Sequence, residues 1–210
     1  MDLSRLLPYL QTGPRYRELI AALQSAPSPD AAAAPQTLAL GLLRAARPPL
    51  LAALARALPG PIVVLTARAE RALALRDEIS AWDPGVLPLI FSEPTPVFYE
   101  RTPWGPRTVR ERIAALARMT LPCAASENAG PFLVIASARA LITPTLPVRE
   151  FLSGTAVLSA GGDASPERLA RAWVDLGYRP ESLVVEPGQL KITGTCFRLV
   201  QNYRWWNPAS

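Results

Sequence analysis

No histidine occurs among the 210 residues, which removes the commonest general base and metal ligand. Two cysteines, Cys123 and Cys196, are too few for a disulfide framework or a thiolate metal cage, and point to a reducing, cytoplasmic setting. Cys123 stands beside Pro122 in a loop-like stretch, and without a histidine to activate it the thiol is a poor nucleophile. Lysine is almost absent: of 22 basic residues only Lys191 is one. No apolar run reaches the length of a bilayer span, because arginine or proline interrupts each of them. The opening MDLSRLLPYL has an acid at position 2 and little apolar length, unlike a secretory signal. These absences exclude a catalytic constellation, a metal or other cofactor site and a membrane role. The expectation is a monomeric cytoplasmic protein that is not an enzyme.

What is present is apolar bulk and arginine. Half of the residues are hydrophobic, enough for one large domain or two small ones. The net charge of +5 is carried by arginine, whose planar fork suits phosphate or carboxylate. Arg44, Arg47, Arg56, Arg68, Arg71 and Arg76 are scattered along the chain, however, and read as solvated helix faces.

The organising stretch is PFLVIASARALITPTLPVREFL, residues 131–152. Phe132 to Ala136 is short, uncharged and mostly branched or aromatic, like a strand buried on both faces. Ser137 can cap a helix over 138–142, and Pro144 stops it. The same grammar appears at 62–65, with Thr66 as the cap of a helix over 67–82 lined by Leu73, Leu75 and Ile79. Strands feeding capped helices predict an α/β fold with a mostly parallel sheet. The expected central strands are 62–65 and 132–136, with helices 67–82 and 107–119 packed on them. The second helix should bury a ridge of Val109, Ile113, Leu116 and Met119.

Around this frame, two short helices are expected within 2–24, broken at Gly13-Pro14, and then a low-complexity linker to Pro35. Residues 38–43 read as a first strand, 50–58 as a helix, and 86–91 as an edge strand because of Pro88. After Leu152 the composition becomes smaller and more flexible. A strand at 156–158, a helix from Ser165 to Leu176 closed by Gly177, and strands at 183–185 and 189–199 predict a small second α/β domain. The expected divisions are 1–36, 37–153 and 154–210.

Three places could carry function. Residues 41–48, GLLRAARP, occupy the position of a phosphate-binding loop between strand and helix. Alanine and leucine stand where glycine would let backbone N–H groups converge, and no lysine follows, so nucleotide binding is not expected. Asp77-Glu78 reads as solvated charge on a helix face. Arg101, Trp104 and Arg107 mix basic and aromatic character and could contact DNA by stacking and ion pairing; an aromatic loop packed back on the sheet is the other reading.

PIVVLTARAERALALRDEISAW, PVFYERTPWGPRTVRERIAALARM, and PFLVIASARALITPTLPVREFL followed by LARAWVDLGYRPESLVVEPGQL are together similar, in order and spacing, to the N-terminal UvrB-like region of the bacterial transcription-repair coupling factor (Mfd) family. The resemblance covers most of residues 38–194. It implies a degenerate, RecA-like, three-layer motor domain that has lost its phosphate loop, followed by a small domain that docks onto UvrA. The connection from Phe98 to Arg107 is too short for the long aromatic hairpin of UvrB, which favours the coupling factor. Thr193 stands where the family's UvrA-contacting arginine would be, so Lys191, Thr193 and Arg198 are the implied partner-binding positions. The downstream FRLVQNYRWWNPAS departs from the family pattern. The resemblance therefore implies a truncated coupling-factor fragment with weakened UvrA binding.

Overall fold

The computed structural model describes residues 3–25, 37–94, 104–120, 132–155, 165–185, 188–193 and 196–199. Among them it is a mixed α/β protein with eight α-helices and a small parallel sheet. The chain divides into two compact units, 1–144 and 145–210. No helix of the described residues is long and apolar enough to cross a membrane.

The first unit opens with α1 (Leu7–Gln11) and α2 (Pro14–Gln24), separated at Gly13 as the Gly-Pro pair dictates. Next come α3 (Arg47–Ala57), β1 (Ile62–Thr66), α4 (Ala69–Trp82), β2 (Leu87–Phe91), α5 (Pro106–Thr120), β3 (Phe132–Ser137) and α6 (Ala138–Ile142). All three strands are parallel in the order β1-β3-β2, with Thr66 level with Ser137 and Phe91 level with Ala136.

β3 is central and buried from Leu133 onward, as its composition predicts. Its period-two alternation divides the core. Leu133 and Ile135 join Ile62, Val64 and Ile90 beneath α3 and α4, where Leu50, Leu54, Leu75 and Ile79 pack. Val134 and Ala136 belong instead to a smaller cluster with Phe91, Ala115, Leu116 and Ala140. The first cluster also takes in Leu7 and Tyr16 of the N-terminal helices, and Tyr16 donates to the Ala53 carbonyl at 3.1 Å.

Four expectations fail in this unit. β1 is an edge strand, not a central one, and Val63 and Leu65 are 54% and 55% exposed. Its expected flanking strand at 38–43 does not form: 37–43 is irregular and leads into a 3₁₀ turn at Ser-free Arg44–Ala46, because an apolar run without a ladder partner has nothing to hold it extended. Thr66 does not cap α4. The N-cap is Arg68, which makes no side-chain cap bond, while Thr66 Oγ1 lies 3.0 Å from the Arg68 carbonyl and 3.3 Å from that of Ala136. Finally, α5 does not bury its apolar ridge. Val109, Ile113 and Met119 are exposed, and Thr108, Arg112, Ala114 and Ala115 face inward. The two alanines let the helix approach the sheet closely, and only Leu116 of the expected ridge packs there.

The second unit holds α7 (Val148–Ser153), α8 (Pro166–Asp175), β4 (Arg179–Pro180), β5 (Gln189–Thr193) and β6 (Cys196–Leu199). The division after Pro144 thus places α7 here rather than with the first unit. Ser165 caps α8 through the Arg168 N–H, and Gly177 closes it with φ +92°, a backbone region that favours glycine. Trp173 and Ala170 of α8, Phe151 of α7 and Leu190 of β5 are buried. The expected strand at 183–185 is absent, and Leu183 and Val185 are exposed; β4 takes the ladder position parallel to β5 instead. The expected single strand over 189–199 is a hairpin of β5 and β6. The strand expected at 156–158 lies outside the described residues.

Candidate functional site

In an open parallel sheet, ligand crevices form beyond the carboxyl ends of the strands. Here that end carries an open cleft of about 680 Å³, lined by Arg44, Ala67, Arg68, Ala69, Glu70, Arg71, Ala74, Glu93 and Arg139. Each cation comes from the piece of chain the topology delivers there. Arg44 lies in the 3₁₀ turn before α3, Arg68 and Arg71 lie at the start of α4 just past β1, and Arg139 lies in α6 just past β3. Read along the sequence these arginines are scattered; the fold gathers four of them.

Their charges are not equally available. Arg71 grips Glu78 with both Nη atoms, at 2.7 and 3.0 Å, and this hydrogen bonding raises its pKa above the ordinary arginine value. Arg139 lies 3.9 Å from Glu93, whose other carboxylate oxygen accepts from Ser137 at 2.6 Å. Ser137 Oγ in turn accepts from the Ala140 N–H at 3.1 Å, capping α6 as expected. Arg44 and Arg68 are exposed and form no side-chain ion pair among the described residues. A guanidinium stays protonated at any physiological pH, so such a site binds and orients anions and does not shuttle protons. Among the described residues, no group of three or more His, Cys, Asp or Glu could hold a metal ion.

Beside the cleft, at the ends of β2 and α6, sits Arg112, only 2% exposed and ion-paired with no carboxylate among the described residues. Its Nη1 donates to the Ser92 and Ala140 carbonyls at 3.1 and 3.2 Å, and Nη2 to the Thr143 carbonyl at 3.2 Å. The guanidinium carbon lies 4.0 Å from the Phe91 ring centre and 5.0 Å from that of Trp104. Burial pulls its pKa below the usual arginine value. Sequence reasoning missed it because a basic residue on an amphipathic helix ordinarily faces water.

Of the residues singled out for DNA, two lie among the described residues. Trp104 packs beside Arg112, Arg107 is ion-paired with Glu111 at 2.9 Å, and Arg101 lies outside the described residues. Of the positions singled out for a partner, Lys191 is exposed, and the backbone register sets Lys191 opposite Arg198 and Thr193 opposite Cys196. Positions 191, 193 and 198 therefore fall on one side of the β5–β6 ribbon. Cys123 lies outside the described residues.

At the expected phosphate-loop position, α3 begins Arg47-Pro48-Pro49. Two of its first three residues thus have no N–H to offer, and no side chain caps the helix. Compared with known proteins, the chain matches no family model and no curated protein.

Proposed function

We propose that the chain is a non-enzymatic, UvrB-like adaptor module of the transcription-repair coupling factor type, with UvrA as its partner through the second unit. In this reading the first unit is a degenerate, RecA-like, three-layer motor domain. The observation that carries the reading is the start of α3. A nucleotide-hydrolysing relative would need converging N–H groups and a lysine there, and this chain presents two prolines and arginine. The units β1-α4, α5 and β3-α6 fall on the three segments on which the family resemblance rests, and the β5–β6 hairpin follows Gly188, after which the resemblance expects the partner-binding strand pair.

The test is binding to purified UvrA, comparing the chain as it stands with Thr193→Arg. Losing one member of a buried charged pair costs about 2–5 kcal/mol, and each 1.4 kcal/mol is about tenfold. The unmodified chain should therefore bind at least roughly 25-fold more weakly than the variant. Equal, tight binding by both would show that the contact lies elsewhere, and no binding by either would remove UvrA as the partner of this hairpin. The alternative reading, a nucleic-acid module acting through Arg101, Trp104 and Arg107, has less support, because Arg107 already has a carboxylate partner and Trp104 packs beside Arg112.

A further inference from the structure

The cleft at the carboxyl ends of β1 and β3 has a chemistry that the adaptor reading does not use. Arg44, Arg68 and Arg139 reach it from three separate segments, and the two glutamates in its lining differ in role. Glu93 is held by Ser137 and lies close to Arg139, whereas Glu70 is an exposed residue of the first turn of α4. The uncharged part of the lining is Ala67, Ala69 and Ala74. Among the described lining residues there is no aromatic ring and no bulky apolar group to grip a base, a nucleoside or an apolar side chain. What the cleft can recognise is negative charge with the two-oxygen geometry that a guanidinium fork matches. Its open shape suits a ligand that passes through it with several such groups in succession.

We propose that this cleft is a phosphate-binding site that takes the sugar–phosphate backbone of a nucleic-acid strand, without reading its bases, through Arg44 and Arg68, with Arg139 placed by Glu93 as a third contact. Arg71 is already neutralised by Glu78 and contributes shape rather than charge. Two unpaired cations engage about two phosphates. For a single strand each neutralised phosphate contributes about −0.7 to the slope of log K against log salt, so the expected slope is about −1.4.

The experiment is fluorescence anisotropy of a labelled oligothymidylate titrated with the full chain across a range of NaCl concentrations. Arg44→Gln/Arg68→Gln is compared with Arg15→Gln/Arg17→Gln, which removes the same net charge from exposed positions of α2. All four arginines are exposed, so neither variant disturbs a core. The cleft variant should weaken binding at least about tenfold at low salt and lose most of the salt slope, while the α2 variant changes affinity by less than about twofold. Inorganic tripolyphosphate should displace the oligonucleotide. If tripolyphosphate binds in an Arg44- and Arg68-dependent way and the oligonucleotide does not, the site is for phosphate and its source is a free polyanion. Equal losses in both variants would reduce the effect to the general positive field and overturn the proposal. So would the absence of any binding at low salt, or tighter binding of an oligoglutamate peptide than of the oligothymidylate.

Discussion

Replacing Arg112 by methionine should destabilise the first unit by about 3 kcal/mol, although the substitution removes a buried charge. Methionine retains much of the apolar stem and fills similar space, so no large cavity enters the reckoning. Three carbonyls, of Ser92, Ala140 and Thr143, would lose their donor. An unsatisfied buried polar group costs about 1–3 kcal/mol, and the lower end applies because a carbonyl has a second lone pair and some can reach water. That gives about 3–5 kcal/mol. Loss of the stack between Phe91 and Trp104 adds about 1–2 kcal/mol. Against this stand relief of the cation's desolvation and removal of the buried Nε, which has no partner, together about 2–3 kcal/mol. Buried ion pairs can often be replaced by apolar residues without loss, because both charged partners leave together. Here the acceptors are backbone and cannot leave. Urea unfolding followed by tryptophan fluorescence should show the midpoint falling by about 1.5 M at an m-value of about 2 kcal/mol/M. Arg112→Lys should fall between the two, since one ammonium cannot reach carbonyls on all three segments as a fork does. An Arg112→Met protein as stable as the parent would refute the reasoning, and would mean that the carbonyls are hydrated without the guanidinium.

Arg56 hydrogen-bonds Asp83 at 2.5 and 2.8 Å and, with the Gly85 and Val86 N–H groups, holds its carboxyl below the usual carboxylate range. A depressed carboxylate contributes stability above its unfolded pKa, near 4, and loses it as pH falls through the folded value. Asp83→Asn should therefore cost about 1–2 kcal/mol at pH 7, discounted for the half-exposed Arg56, and the gap to the parent in urea midpoint should close as pH falls below about 4. Leu65→Lys should change stability by less than about 0.5 kcal/mol, because no described residue covers the face of β1 that carries Val63 and Leu65; a loss above about 2 kcal/mol in the same assay would show that something covers it. Isothermal titration of Arg44→Gln/Arg68→Gln with ATP should give no heat of micromolar binding, and such binding, which the arginine cleft could not explain, would overturn the argument from Pro48 and Pro49.

The parts legible in the sequence were those in which one local rule decides the outcome. Phe132 to Ala136 reads as a doubly buried strand, Ser137 and Ser165 as helix starts and Gly177 as a helix stop, and each is so, whereas Thr66, read by the same rule as Ser137, caps nothing. What could not be read depends on partners distant in the chain. Whether 38–43 extends is decided by the presence of a neighbouring ladder, not by its leucines. Which side of α5 faces in is decided by the close approach that Ala114 and Ala115 allow and by carbonyls that only tertiary structure places near Arg112. The arginine cleft was invisible for the same reason: Arg44, Arg68 and Arg139 become neighbours only when the ends of β1 and β3 are aligned.

The strand order also has a consequence for how the molecule is made. Among the described residues β1 and β2 are not paired with each other; each is hydrogen-bonded to β3, the last of the three to leave the ribosome. Every rung of the sheet is thus a long-range closure, such as Thr66 with Ser137, and none can form while the chain is still short of residue 132. Until then a nascent polypeptide carries two apolar strands with unsatisfied edges, the kind of species that self-associates or recruits chaperones. Synthesis slowed before β3 has emerged would prolong that exposure, and synthesis slowed after it has emerged would not.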